Sequence, residues 1–557
     1  MIRKMRGIKL SAIIAFSLVA CSTARAEAVP PPAACDPYKD YSCLDSYLGS
    51  DVLTRIFNYY RLEWGEAAAP TDPNAPPSAR EGWPQTPETS PPMPYTEFPT
   101  GALTSIGVTR PGSVDGPLMA AIANTGLGKW LAGNDTQIYG WVDPGFNFST
   151  NSTKFGNAPI AYTVNPNVGQ LDQAVLYIDR LPNTVQTDHF DWGFRLSAIY
   201  GQNYRYTNAY GIASWQFNGK NNWEGYDFPM MYVDLWFPKV FEGLEVRVGR
   251  YISIPDVEAQ LAPNNILYTH SLSYGYDNYT NEGMVASWQL TKNWLLQTGI
   301  VDGTETPPWH YNKTIPNLYV RGGSDTAGFG PGVDPLYPYS AMRKDPGNQL
   351  TGVLCLRYES DDGSTVFYPC MDGINDGAWG YNNLQWHGVT LYHKFDAHWH
   401  VDFESYWMSE NGVPNLNNSQ AVALVNNGGT PFSPQYINFN GPNLAYCGSA
   451  AKLSCGVDAY GVLAYINYTV DPLNNFIFRP EFYDDPNGWR SGIGKPVKYM
   501  EYTLGWQHWL SPQVEFRPEI GYWRSYRAPA FNGDVYAGVA PNKSVTVEFA
   551  SDVIIHF

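Results

Sequence analysis

The feature of this sequence that most constrains its fold is a series of short segments in which apolar and polar residues alternate. From about residue 137 onward, segments of roughly ten residues follow a period of two, which indicates β-strands with two different faces. We count fourteen such segments. They begin near Gln137, Gly169, Phe190, Phe228, Gly243, Glu282, Trp294, Leu384, His398, Asp458, Asn475, Tyr499, Gln513 and Ser544.

The links between these segments are alternately long and short. Tight links such as Lys292-Asn293, Asp396-Ala397 and Ser511-Pro512 follow every second segment. A soluble β-sandwich gives no reason for this alternation, whereas a transmembrane β-barrel has tight turns on one rim and long loops on the other. The sequence therefore predicts an all-β fold, a closed antiparallel transmembrane β-barrel of about 14 strands with short periplasmic turns and long external loops. We place this barrel at residues 134–557.

The composition fits this fold and excludes two other classes. Aromatic residues make up 15% of the chain and charged residues only 16%, which is the opposite of a disordered protein. The formal net charge of −17 gives no basic surface for nucleic acid.

The amino end reads as an export signal. Arg3, Lys4 and Arg6 precede an apolar run that is too short to span a bilayer, and Ala24-Arg25-Ala26 follows as a small-x-small cleavage site. We expect a signal peptide over residues 1–26. The alternative is a lipoprotein signal with Cys21 acylated.

Residues 27–133 differ from the rest and form an amino-terminal extension. An apolar stripe predicts a helix over about residues 43–64, although Gly49 weakens it. Residues 70–99 are rich in proline and cannot be regular. The extension is either a periplasmic tail or a plug inside the barrel, and the sequence leaves both open.

Six cysteines remain after Cys21, in three local pairs, and an even count in an exported chain favours disulfides. The pairs are Cys35 with Cys43, Cys355 with Cys370, and Cys447 with Cys455. Asp362-Gly363 is a hairpin turn signal that sets Cys355 opposite Cys370. We interpret the second and third pairs as staples within external loops.

The last segment is strongly amphipathic and ends the given chain on an aromatic residue. Phe549, Val553, Ile555 and Phe557 share its apolar face, whereas Glu548 and Asp552 lie on the other. It resembles the carboxyl-terminal strand that the barrel assembly machinery of bacterial outer membranes recognises.

The same alternation identifies charged residues that face the lumen, since charge facing lipid is costly. The candidates are Arg195, Asp234, Arg247, Asp402, Glu404, Arg479, Glu481, Arg517 and Glu519. Inward carboxylates outnumber inward arginines, and rings of carboxylates favour cations. We expect a modest cation preference, or else charges that pair and stiffen the wall. The 82-residue link between Asp302 and Gln385 is the candidate constriction.

The sequence contains none of the common catalytic or metal-binding motifs. There is no His-Glu-x-x-His, no Gly-x-Ser-x-Gly and no phosphate loop. Folding about Asp396-Ala397 would set His393 opposite His400, but nothing joins them as a further ligand. We expect no enzyme activity, no cofactor and no metal.

Several stretches resemble the family described as "Putative beta-barrel porin-2, OmpL-like". They are Ile138-Tyr-Gly-Trp-Val-Asp-Pro-Gly-Phe146, Asp191-Trp-Gly-Phe-Arg195, Val248-Gly-Arg250, Tyr268-Thr-His-Ser-Leu272 with Gly283, Gly299-Ile-Val-Asp-Gly303, and Arg479-Pro-Glu-Phe-Tyr-Asp-Asp-Pro-Asn-Gly488. The resemblance implies an outer-membrane porin, with no catalytic residues and no assigned substrate.

The expected function is therefore passive diffusion of ions or small hydrophilic solutes through a water-filled channel in the bacterial outer membrane. The expected partners are outer-membrane lipid, the barrel assembly machinery and those solutes, and the oligomeric state is open. The alternative is a closed barrel whose stapled loops bind a partner, as an adhesin or scaffold does.

Overall fold

The computed structural model of the chain describes most of the barrel and part of the amino-terminal extension. The described residues are 45–64, 117–184, 186–207, 212–213, 216, 222–252, 254, 256–277, 280–304, 350–374, 384–421, 445–471, 473–491, 495–511, 513–534 and 539–557. The signal peptide, the proline-rich segment and the pair Cys35 and Cys43 lie outside them.

Among the helices whose bounds the structure describes, four short ones precede the barrel and a fifth lies in one of its loops. They are α1 (Asp45–Leu48), α2 (Val52–Glu63), α3 (Pro117–Ile122), α4 (Gly126–Ala132) and α5 (Leu272–Gly275). The expected helix over 43–64 is divided at Gly49, whose φ of 95° ends α1, and Asp51 then caps α2 through the amide of Thr54. Arg55 joins α2 to α3, because its buried guanidinium donates to the carbonyl of Ala120.

Seventeen strands form one sheet. They are β1 (Gln137–Ser149), β2 (Gly169–Arg180), β3 (Asp191–Gly201), β4 (Gly225–Asp227), β5 (Met231–Phe237), β6 (Leu244–Ile252), β7 (Thr280–Thr291), β8 (Trp294–Thr304), β9 (Thr351–Glu359), β10 (Thr365–Ile374), β11 (Gln385–Lys394), β12 (Trp399–Pro414), β13 (Ser454–Asp471), β14 (Asn474–Asp485), β15 (Val497–Ser511), β16 (Val514–Tyr526) and β17 (Val545–His556).

The sheet closes on itself as an antiparallel barrel. Apart from β4, each strand pairs with the next along the chain, and β17 pairs with β1. The short strand β4 extends the edge of β5 along β3, so sixteen strands form the ring. The closed transmembrane barrel is confirmed, but the count of about 14 was too low. The missing strands are β9 and β10, the hairpin around Cys355 and Cys370, which we had placed in an external loop.

The outer face of the barrel is apolar. Outward residues of neighbouring strands, such as Leu504, Ile520 and Phe549, are 58%, 51% and 41% exposed. Aromatic residues such as Trp399 and Phe476 lie at the rim of the tight turns, as in the girdles of outer-membrane barrels. In the part of the chain that the structure describes, no helix has the length and apolar character needed to cross a bilayer.

The amino-terminal helices lie beside the seam between the first and last strands. Met119, Ile122 and Leu131 form a small apolar cluster that also contacts Ile138 at the start of β1. The hydroxyl of Tyr60 donates to the carbonyl of His556 at the end of β17. This segment therefore packs at the periplasmic rim.

Candidate functional site: the inner face and its inward loop

The nine charged residues expected to face the lumen are all buried on the inner face of the barrel. They are Arg195, Asp234, Arg247, Asp402, Glu404, Arg479, Glu481, Arg517 and Glu519. Each is at most 3% exposed, although the outward residues Leu196 and Val248 are 48% and 46% exposed. Their role as pore-lining residues stays a prediction.

Two of the inward arginines join neighbouring strands directly. Arg195 lies 2.9 Å from the carboxylate of Asp179 on β2. Arg247 lies 2.8 Å from Asp234 on β5, and its guanidinium lies 3.7 Å from the ring centre of Tyr232. In both pairs the positive charge is neutralised within the wall.

The link between β6 and β7, the third on the long-loop rim, folds into the barrel. We call its described residues 256–277 the inner loop. It contains a 3₁₀ turn at Ala262–Asn264 and the helix α5, and almost all of its side chains are buried. A buried irregular segment must find hydrogen-bond partners for its main chain. Many of these partners come from the wall.

Wall carboxylates accept hydrogen bonds from main-chain amides of the inner loop. Glu404 accepts from Val257 at 2.7 Å. Glu481 accepts from the amides of Leu272 and Ser273 at 2.8 and 2.5 Å. On β16, four strands from Glu404, Glu519 accepts from the amides of Tyr268 and Thr269 at 3.0 and 3.1 Å.

Wall arginines bind the carbonyl groups of the same loop. Arg517 on β16 donates to the carbonyls of Ala262 and Asn265 at 2.8 and 2.7 Å, and also pairs with Asp552. Arg479 on β14 donates to the carbonyl of Thr269. Arg479 also forms ion pairs with Glu258 of the loop at 3.0 Å and with Glu501 on β15 at 2.6 Å. The wall thus binds both the amide groups and the carbonyl groups of the loop backbone.

Two ionisable groups of the inner loop are perturbed by their surroundings. Burial lowers the pKa of His270 well below its usual value, and its Nε2 lies 2.7 Å from the carbonyl of Ala259. Burial raises the pKa of Glu258, against the opposing effect of Arg479. His270 is therefore neutral at neutral pH, and it packs against the rings of Tyr162 and Tyr274.

Sequence reasoning missed the inner loop. Part of the expected constriction, the 82-residue link between Asp302 and Gln385, supplies β9 and β10 to the wall. Residues 305–349 of this link lie outside the described part, so a constriction formed by them stays a prediction. The only local signal of the true inward segment was the motif Tyr268-Thr-His-Ser-Leu272, which had no assigned role.

Carboxylates of the inner loop and the wall also converge. Ligand oxygens of Asp256, Asp277 and Glu404 lie within 4.8 Å of one another, and such oxygens suit hard cations. One oxygen of Glu404 is already occupied by the amide of Val257. By contrast, the expected facing of His393 and His400 is wrong. His393 pairs with Val401 and His400 with Lys394, so the two rings lie on opposite faces.

The cysteine pairs Cys355–Cys370 and Cys447–Cys455 are disulfide-bonded. Cys355 lies directly opposite Cys370 in the β9–β10 register, as the turn signal predicted. However, this bond lies within the barrel wall and not in an external loop. The bond between Cys447 and Cys455 does lie in the long link before and into β13.

The terminal strand β17 has the expected two faces. Phe549 and Ile555 are outward and exposed, and Val553 is half-buried between them. Phe557 continues the seam beyond β17, since its amide donates to Gly140 on β1 at 2.9 Å. The use of these residues as an assembly signal stays a prediction.

The chain is similar to several proteins of known structure. No curated protein matches the sequence. Among solved structures, the chain is similar to the anion-selective porin from Comamonas acidovorans, with 11% identity, a TM-score of 0.44 and coverage of 76% of this chain and 99% of that one. It is also similar to the outer membrane channel DcaP of Acinetobacter baumannii, with 9% identity, a TM-score of 0.41 and coverage of 76% and 97%.

A family model matches the whole barrel. The model is described as "Putative beta-barrel porin-2, OmpL-like" and matches residues 135–557, which is well over half of the chain. The match begins two residues before β1 and runs to Phe557. The protein therefore belongs to this family of outer-membrane porins and is a multi-pass β-barrel of the bacterial outer membrane.

Proposed function

We propose that the barrel conducts small hydrophilic solutes and ions by passive diffusion, with a modest preference for cations, and that the inner loop sets the width of the path. The observation that carries this proposal is the attachment of the loop to the wall from β12 to β16 by Glu404, Arg479, Glu481, Arg517 and Glu519. A loop held in this way narrows the lumen on one side. The activity is transport and requires no catalytic residue.

The cation preference follows from how the inward charges are compensated. The four arginines that were predicted to face inward are all engaged in ion pairs, so their positive charge is locally cancelled. Two inward carboxylates accept hydrogen bonds from neutral donors: Glu515 from Gln507, and Glu404 from the main chain. Where carboxylates of this kind are ionised, they add negative charge to the inner face, which favours cations in a pore.

The test is the reversal potential of the refolded full-length protein in a planar bilayer under a potassium chloride gradient. We expect the sign of a cation-preferring channel, and a smaller reversal potential for Asp402→Asn with Glu404→Gln. Asp458→Asn is the matched control, because Asp458 bonds Trp407 on the outer side of the wall and its loss should leave the potential unchanged. Anion preference, or no conductance, would contradict the proposal.

A second function is a closed barrel whose loops bind a partner. The near-complete burial of the inward side chains favours it. Of the two disulfides in the described chain, the one between Cys447 and Cys455 suits this role, since the other lies in the wall. A barrel that carries no current yet binds a surface partner through this loop would support the second function.

The proposed partners of the outer face are lipid and the barrel assembly machinery. Lipid fits the apolar outward residues, because a closed sheet pairs the backbone groups of neighbouring strands with one another. The assembly machinery would read Phe549, Val553, Ile555 and Phe557. The amino-terminal extension, residues 27–133, is proposed as a periplasmic segment, in line with the contacts of α2 and α3 at that rim.

A further inference from the structure

Three aspartates meet on the inner face where the barrel closes. Asp143 lies on β1, Asp552 on the facing strand β17, and Asp172 on β2 at the other side of β1. Their side chains are at most 1% exposed. Like charges at such short range across paired strands are destabilising unless something compensates them.

Local backbone features bring these carboxylates together. The register of β1 and β2 shifts between Asp143 and Pro144, so that Asp172 and its neighbour Gln173 are both buried inward. Gly145 faces Asp552 across the seam, and a Cβ at Gly145 would lie 2.3 Å from an oxygen of Asp172. The glycine therefore leaves the space that Asp172 occupies.

The three carboxylates differ in their partners. Asp552 is paired with Arg517. Asp172 accepts a hydrogen bond from the hydroxyl of Tyr268 at 2.7 Å and another from the side-chain amide of Gln170 at 2.5 Å. In the part of the chain that the structure describes, neither oxygen of Asp143 has a hydrogen-bond donor, although the side chain is fully buried and directed at Asp552 and Asp172.

Arg517 does not make up for this deficit. It is the one basic group among the principal charged neighbours of Asp143 in the described chain. Its guanidinium is already shared between Asp552 and the carbonyls of Ala262 and Asn265. The free-energy cost of burying a carboxylate without hydrogen-bond donors is several times what an ordinary hydrogen bond contributes. Such a group in a native protein needs an explanation, and a bound ion or water supplies one.

We propose that a divalent cation of the Ca²⁺ type binds between Asp143 and Asp552, beside Asp172, and holds the closing seam. Three carboxylates and one guanidinium leave an excess of negative charge that such an ion neutralises. Ca²⁺ selects carboxylate oxygens, and Asp143 offers both of its own. The ion would link β1 to β17 on the inner face, where the strands otherwise present like charges. This site is independent of whether the barrel conducts.

The test is Ca²⁺ binding to the refolded full-length protein, measured by equilibrium dialysis with radioactive Ca²⁺ after removal of metal with a chelator. We expect Asp143→Asn to lower the number of bound ions per barrel by one and to abolish the part of the Ca²⁺-induced rise in melting temperature that this ion supplies. Glu548→Gln is the matched control. Glu548 lies on the same face of β17, accepts from Asn157, and should not alter binding when it is changed.

The asparagine variant should fold, because its amide can donate to Asp552 or Asp172. Asp143→Ala serves as a second variant without that new donor, and it should lose the same ion. Binding that is equal in wild type and in both variants would overturn the proposal. So would a wild-type barrel that binds no Ca²⁺.

Discussion

The barrel has two halves that use inward arginines in different ways. In the half from β12 through β17, Arg479 and Arg517 extend beyond their carboxylate partners and bind the carbonyls of the inner loop. In the half from β3 through β11, Arg195 and Arg247 bind carboxylates on adjacent strands and stack near tyrosine rings. We call these the loop-bound half and the direct half.

From this difference we infer that the loop-bound half controls the width of the lumen, whereas the direct half stabilises the wall. All four arginines look alike in sequence, since each is an inward residue on an amphipathic strand. Their roles diverge because the inner loop lies against Arg479 and Arg517, through contacts between residues more than 200 positions apart. Changes in the loop-bound half should therefore alter conductance, and changes in the direct half should alter stability alone.

The largest expected effect is that of lysine substitutions in the loop-bound half. In Arg479→Lys with Arg517→Lys the charge remains, but a compact ammonium with three donors cannot reproduce the planar five-donor fork of a guanidinium, so some of these bonds are lost. Each lost bond to a charged group weakens the attachment of the loop by about 1.5–3 kcal/mol, which is roughly tenfold or more in the attached fraction. Single-channel recordings should show higher and noisier conductance.

Arg195→Lys with Arg247→Lys is the matched control in the direct half. Each lysine can still reach the carboxylate on the adjacent strand, Asp179 or Asp234, but it loses the second hydrogen bond and the stacking of the guanidinium. We expect a lower melting temperature and an unchanged conductance. If both double variants change conductance equally, the distinction between the halves fails.

A smaller effect is expected from removing the disulfide of the direct half. Cys355→Ser with Cys370→Ser should lower the free energy of unfolding by about 2 kcal/mol, the lower end of the usual range, because β9 and β10 are already joined by backbone pairing. Unfolding in urea would measure the loss, and conductance should not change. Cys447→Ser with Cys455→Ser, confined to a loop and the start of β13, should affect the barrel less, so an equal or larger loss there would contradict this ranking.

The strands of the fold were largely predictable because each carries its own evidence in a period of two. Glu481 and Glu519 were assigned inward from their strands alone, and they are buried there. The hairpin β9–β10 has the same pattern, with Leu354 and Met371 outward and Cys355 inward. It was misassigned because the two cysteines suggested a stapled loop, and the tight turn at Asp362-Gly363 was not counted with the other periplasmic turns.

The candidate site was predictable only in its wall. Local patterns give the direction of a side chain but not its partner, and nothing near Arg517 in sequence indicates Ala262 or Asn265. The inner loop has no regular alternation of apolar and polar residues. The hydrogen bonds of its main chain are made instead with side chains of distant strands. The same holds for Asp143, whose neighbours come from both ends of the chain.

The smallest expected effect concerns the turn between β9 and β10 in the direct half. Hydrogen bonds from Ser360 and Ser364 lower the pKa of Asp362 to about 2, against an ordinary value of 3.8. The unfolded chain thus binds this proton at higher pH than the folded one, so the stabilisation is complete above pH 3.8 and is lost as the pH falls through about 2. Amide hydrogen exchange at Ser364 should accelerate across this window in the wild type. In Asp362→Asn the exchange rate, corrected for its intrinsic pH dependence, should stay flat, and a window of the same size in that variant would assign the effect to another group.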